Sequence, residues 1–221
     1  MIKSIKRKIQ IIESYLWGVK LAEYESKLNG KLELWLINNR KVLNTAHANL
    51  SFDSLHRIFQ EVFSRINIKL KKPETALLLG LGCGSVPTIL FNELKLNCHL
   101  IAVEYDPMMI DIAMKHFDLQ KFQNMTILID DASNYVHQSI QKFDLIVVDL
   151  FTDNEVPDKF TEFEFIEKSL SLLCKSGILV FNMMTENLHQ QQRFNQLMAH
   201  FTKSEFIKLF GTNSILVFRN N

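Results

Sequence analysis

The chain has 221 residues, 47% hydrophobic and 22% charged, with 7 Gly and 4 Pro. This balance excludes collagen-like and disordered polymers, and the length suits one or two domains of roughly 150 residues each. The net charge of +1 hides an asymmetry: residues 1–72 carry 14 Lys+Arg against 6 Asp+Glu, residues 73–221 carry 11 against 18. The basic residues are scattered, with no aromatic ladder among them, which argues for a solvated face and against a nucleic-acid surface.

In chain order, Ile9–Tyr24 reads as a strand pair or a long bent strand. Lys31–Ile37 alternates, placing Leu32, Leu34 and Leu36 on one face, and Asn38-Asn39 turns it back into Arg40–Thr45 as a β-hairpin. Leu50–Ile66 switches to helical spacing, with Ser51 as N-cap and Leu55, Ile58, Phe59, Val62 and Phe63 in one core stripe. Lys71-Lys72-Pro73 marks a joint. The expected organisation is therefore an N-terminal strand and hairpin domain over 1–50, a connecting helix over 51–72, and an α/β domain over 73–221.

Beyond the joint, strands at Ala76–Leu79, His99–Val103, Met125–Ile129, Leu145–Val148 and Ile178–Phe181 alternate with helices. The helices fall at Val86–Leu94, Pro107–Phe117, Ala132–Ile140, Glu162–Leu173 and Asn187–His200. Such alternation implies a parallel sheet covered by helices on both faces. At the end, Glu205–Phe210 and Ser214–Phe218 are joined by Gly211-Thr212-Asn213. That link is too short for a parallel crossover, so the sheet closes with an antiparallel hairpin. The fold class is α/β, a Rossmann-like sheet of the class I methyltransferase kind, preceded by a small β-rich domain.

Ligands of such sheets sit beyond the carboxyl ends of the strands. Gly80-Leu81-Gly82-Cys83-Gly84 follows the first strand of the sheet, a GxGxG turn that lets backbone amides approach a ligand. Glu104 ends the second strand, 24 residues past Gly80, where an acid can accept from both ribose hydroxyls. Asp130-Asp131-Ala132 ends the third strand; one carboxylate suits an adenine amine and the other a helix cap, with Asp131 favoured as the ligand contact. Asp149 ends the fourth, facing either the cavity or a structural hydrogen bond, with the cavity favoured. Three acids around a glycine turn would repel a pyrophosphate and attract a cationic nucleoside: S-adenosylmethionine or its decarboxylated form. The 7 histidines show no ligand spacing, so no metal is expected. No run approaches about 18 apolar residues, so no membrane span is expected. The basic start, with only four residues before Glu13, leaves no room for a signal-peptide apolar region, so no signal peptide is expected. Cys83, Cys98 and Cys174 form no CxxC pair, which points to a reducing, cytoplasmic setting.

With these residues in place the chain resembles the spermidine synthase family. The resemblance runs from about Ile9 to Asn182, through the strand around Glu13-Ser14-Tyr15, the hairpin after Asn29-Gly30 and the glycine loop. It continues in Val103-Glu104-Tyr105-Asp106, Asp131-Ala132, Phe143–Asp149, Phe163–Phe165 and Lys175-Ser176-Gly177-Ile178. It implies a nucleoside site formed by Gly80, Gly82, Gly84, Glu104, Tyr105, Asp131, Ala132 and Asp149, and a homodimer. The acceptor side departs from the family. Cys83 stands where the loop has an Asp, Asn49–Ser54 replaces a Tyr-His-Glu stretch, Trp17 replaces a glutamine, and the second acid after Asp149 is displaced to Asp153. Three readings follow. The first is methyl transfer from S-adenosylmethionine to a small acceptor, with Asp149 as the catalytic group. The second is aminopropyl transfer to a polyamine from the decarboxylated donor. The third is a nucleoside-binding module without chemistry. Nucleic-acid base methylation is disfavoured, because Asp149-Leu150-Phe151 lacks the prolines that place a flipped base.

Overall fold

The computed structural model describes residues 2–45, 54–152, 155–208 and 213–220. The expected cap Ser51, with the rest of the 49–53 stretch, lies outside them, as do Asp153 and the Gly211-Thr212 link.

The first 16 residues correct the sequence reading. In place of a strand pair over Ile9–Tyr24, and of a strand around Glu13-Ser14-Tyr15, helix α1 spans Ile2–Leu16. Isoleucine's preference for strands is outweighed by the three- and four-residue spacing of the aliphatic positions, a helical period. Gly18, at φ +77°, ends the helix in a conformation that costs glycine little. Strand β1 (Val19–Ser26) then pairs antiparallel with β2 (Gly30–Ile37), and β2 with β3 (Arg40–Asn44). Asn38 and Asn39 turn the second hairpin with φ of 50° and 59°, as the paired asparagines imply. Leu32, Leu34 and Leu43 are buried on the inner face of this sheet.

Helix α2 (Ser54–Arg65) and the short α3 (Ile68–Lys71) lead into β4 (Thr75–Leu79). The main sheet adds β5 (His99–Glu104), β6 (Met125–Ile129), β7 (Phe143–Val148), β8 (Leu173–Met184), β9 (Glu205–Lys208) and β10 (Asn213–Arg219). Its order is β6-β5-β4-β7-β8-β10-β9. The first five strands in that order are parallel, while β10 inserts between β8 and β9, antiparallel to both. The closing hairpin therefore tucks its second strand inward and leaves β9 at the edge.

The central strands are buried on both sides, as a parallel sheet covered by helices requires. Ala76, Leu78, Leu100, Leu145 and Val147 meet Ile58, Phe59, Val62 and Phe63 of α2. The helix read over Val86–Leu94 begins as α4 (Ser85–Pro87) and continues as a π-turn over Thr88–Glu93. Helix α5 (Pro107–His116) joins the two sheets: Met109 and Ile112 pack with Leu32, Leu34, Leu43 and Cys83 in one small core. On the other face of the main sheet, Leu77, Leu79, Ile146 and Val148 meet a layer that includes Val136, Phe165, Ile166, Phe194 and Leu197. These belong to α6 (Ala132–Gln138), α7 (Phe163–Ser171) and α8 (Leu188–His200).

Candidate functional site

Where the strand order reverses, at β4, the carboxyl ends of β4, β5, β6 and β7 open onto a cavity of about 350 Å³. Gly80, Gly82, Glu104, Tyr105, Asp131, Ala132 and Asp149 all line it. The structure thus brings together seven of the residues singled out in the sequence. Gly84 is placed differently. It turns at φ 83° behind the loop, where an added Cβ would lie 2.4 Å from Leu119 Cδ2.

The glycine loop is shaped by two constraints. Gly80 has φ +92°, and a Cβ there would lie 2.1 Å from the carbonyl oxygen of Asp149. Loop and β7 end are therefore in backbone contact, and only glycine fits. Gly80→Ala is expected to cost about 2–6 kcal/mol in strain and overpacking, read as a fall in Tm on the order of 10 °C. Around Gly82 (φ +51°) a Cβ would meet nothing within 4 Å. Gly82 thus presents its backbone to open space at the cavity.

Glu104 holds the loop in place. Its Oε2 accepts from the amides of Leu81 (3.0 Å) and Gly82 (3.2 Å), and its Oε1 from the amide of Asp106 (3.0 Å). Burial pushes its pKa above the usual carboxylate range, against the pull of these amides. Asp131 caps α6, accepting from Ser133 N (2.9 Å) and Asn134 N (3.3 Å), and its second oxygen pairs with Lys159. Burial raises its pKa, but Lys159 and the cap amides outweigh that and hold it low. The Asp131 carboxylate at the cavity wall is thus also a cap.

Asp149, like Glu104, has its proton affinity raised by the site. Burial pushes its pKa up to about 7, with Glu104 adding to the rise and the Asn182 amide opposing it. Asn182 Nδ2 donates to Asp149 Oδ1 (2.9 Å), and Asn213 Nδ2 donates to Asn182 Oδ1 (2.9 Å). The sequence reading missed this relay. Its signal was a fully buried asparagine in the apolar run of β8.

It also missed Asp106, 4% exposed. This carboxylate caps α5 through Met108 N (2.9 Å) and accepts from Ser26 Oγ (2.5 Å) and Asn29 Nδ2 (2.6 Å). It pins the β1–β2 turn, whose Leu28 and Asn29 form one cavity wall. Asp106→Ala leaves three donors without their acceptor, so a loss of about 2–4 kcal/mol is expected in denaturant unfolding.

On the acceptor side, Cys83 is buried against Met109 and Ile112 and does not line the cavity. Burial and then Glu104 push its thiol pKa up, which keeps it protonated. Trp17 is 70% exposed at the end of α1, away from the cavity lining. The remaining walls combine apolar side chains, among them Ile58, Met109, Leu150, Phe151 and Phe160, with the polar Asp130, Thr152, Lys159 and Asn213.

A family model described as a methyltransferase domain matches residues 72–213. A polyamine aminopropyltransferase of Vibrio vulnificus is 32% identical over 151 residues, 66% of this chain and 50% of the relative. An N-terminal histidine N-methyltransferase of Emericella nidulans is 33% identical over 112 residues, 48% of this chain and 19% of the relative. The chain therefore spans half or less of the length of these relatives. Among solved structures, spermidine synthase of Thermotoga maritima superposes with a TM-score of 0.73 at 15% identity, covering 91% of this chain and 73% of that one. The chain belongs to the methyltransferase domain family, as a spermidine synthase-like member of the methyltransferase fold.

Proposed function

We propose that the chain transfers a methyl group from S-adenosylmethionine to an amine nitrogen of a small acceptor, with Asp149 as the group that orients the amine and takes its proton. The observation that carries this reading is Asp149 itself. It is a carboxyl with a proton affinity near neutrality, fixed by Asn182, in one cavity with Glu104 and the glycine loop. The donor supplies an electrophilic carbon beside a sulfonium. Glu104 offers its carboxylate to the ribose hydroxyls, and the open face of Gly82 leaves room for the nucleoside. The acids of the cavity favour a cation, and apolar side chains such as Met109, Leu150 and Phe151 offer it a less polar wall. The match to a methyltransferase domain supports the methyl donor, and the names of both relatives involve amines.

One observation favours aminopropyl transfer instead. The amides of Leu81 and Gly82 already serve Glu104, and Lys159, the cation among the described lining residues, serves Asp131. A donor without a carboxylate asks nothing of them. The test is to incubate the purified chain with each donor and a panel of amines and to identify the nucleoside product by mass spectrometry. S-adenosylhomocysteine with a methylated amine supports the first reading, and methylthioadenosine with an aminopropylated amine supports the second. Tight binding of both donors without either product would leave a binding module and refute both.

A further inference from the structure

Helix α1 turns its apolar stripe away from the protein. Ile9, Ile12 and Leu16 are 50%, 63% and 66% exposed, and Trp17 follows them at 70%. The side that meets the body is held by Ser14, 2% exposed, whose hydroxyl accepts from Asn39 N (2.9 Å) and whose carbonyl accepts from Asn38 N (2.9 Å). An amphipathic helix ordinarily buries its aliphatic stripe. This one anchors through a polar residue and leaves the stripe in solvent, where contiguous apolar surface marks an interaction site.

Charge says what kind of partner the stripe suits. Helix α1 carries Lys3, Lys6, Arg7 and Lys8 against the single acid Glu13. Cations in the first half of a helix oppose its dipole, so this placement does nothing for the helix itself. At 3.6 residues per turn, positions 2, 5, 9, 12 and 16 fall within an arc of about 80°, and positions 6 and 8 lie about 40° beyond its two edges. The isoleucines and Leu16 thus run between two lysine positions. In that arrangement aliphatic side chains can enter the acyl boundary of a bilayer while ammonium groups reach lipid phosphates. Tyr15 and Trp17, both exposed, add amphipathic rings of the kind that settle at headgroup level. A nucleic acid would engage the cations but leave the aliphatic stripe in water.

We infer that α1 docks the chain on an anionic membrane surface, with Ile9, Ile12 and Leu16 in the boundary between headgroups and acyl chains and the basic half of the helix against acidic headgroups. At 15 residues α1 is shorter than the about 20 that a spanning helix needs, so it lies on the surface. A free helix of this length is marginal in water, but the β2–β3 turn holds α1 formed through Ser14, which lowers the ordering cost of docking. No described residue of α1 lines the cavity, so the inference is independent of the transfer chemistry.

Co-sedimentation of the whole chain with lipid vesicles tests it. The chain is expected to pellet with vesicles of equal parts phosphatidylcholine and phosphatidylserine, and to stay in solution with phosphatidylcholine alone. Lys6→Gln with Lys8→Gln is expected to weaken binding about thirtyfold, roughly fivefold for each cation removed. Ile9→Glu with Ile12→Glu is expected to abolish pelleting with an unchanged circular dichroism spectrum, which separates loss of docking from loss of folding. In a Trp35→Phe background Trp17 is the remaining indole, and its emission is expected to shift to the blue when the mixed vesicles are added. A wild type that stays in solution with the mixed vesicles, that pellets equally with phosphatidylcholine alone, or whose binding survives both glutamates overturns the inference. So does a dimer in sedimentation velocity that both glutamates split, since a second copy would then cover the stripe.

Discussion

Asp149→Asn is expected to lower the transfer rate by about 10²–10⁴ while leaving the affinity for S-adenosylhomocysteine within a few-fold. The asparagine keeps the acceptor oxygen that Asn182 uses, so the cavity retains its shape, but it cannot take a proton from the attacking amine. In the wild type the rate is expected to rise with pH through about 7, as Asp149 loses its proton. The same substitution has a consequence for stability. The carboxyl has a pKa of 3.8 when unperturbed and about 7 in the fold. Between those values the native chain holds a proton that the unfolded chain has released, so stability falls as pH rises and is lowest above pH 7. Each tenfold difference in proton affinity is worth about 1.4 kcal/mol, so the cost at neutral pH is a few kcal/mol. Asp149→Asn is therefore expected to raise Tm at about pH 8 and to change it little at about pH 4. A variant that loses turnover and also melts lower under the alkaline condition would show Asp149 to be a structural hydrogen-bond partner rather than a proton acceptor.

The parts of this site that were legible in the sequence share a physical cause. In a parallel sheet the central strand ends are fixed by runs of buried aliphatics, so Glu104 and Asp149 announce themselves as the first charged residues after such runs, while Asp131 follows the aliphatic but only partly buried β6. Paired asparagines at positive φ made the β2–β3 turn readable for the same local reason. What stayed hidden depends on contacts distant in sequence. Asp106 reaches Ser26 across 80 positions and Asn29 across 77, and Asn182 reaches Asp149 across 33. Helix α1 was misread because isoleucines favour strands locally, and its period becomes decisive only when all of Ile2–Leu16 is considered together.

Glu104→Gln is expected to weaken binding of S-adenosylhomocysteine by at least about 10², and more than any other single change at the cavity wall. Two effects combine. A ribose diol facing a carboxylate makes charge-assisted hydrogen bonds worth about 1.5–3 kcal/mol each, and the amide removes the charge. The three backbone donors on this side chain also need two accepting oxygens: Leu81 and Gly82 point at Oε2, Asp106 at Oε1. Glutamine sets an NH₂ against one of these groups, so donor meets donor and the glycine loop loses part of its fixed shape. Asp131→Ala provides the contrast. Its carboxylate already caps α6 and pairs with Lys159, so its loss is expected to cost about 0.5–2 kcal/mol of stability through the cap, with a smaller effect on binding. Calorimetric titration of the two variants separates the roles. If Asp131→Ala proves the more damaging to binding, the nucleoside is anchored at the end of β6, and Glu104 is a loop brace whose amide contacts are its whole purpose.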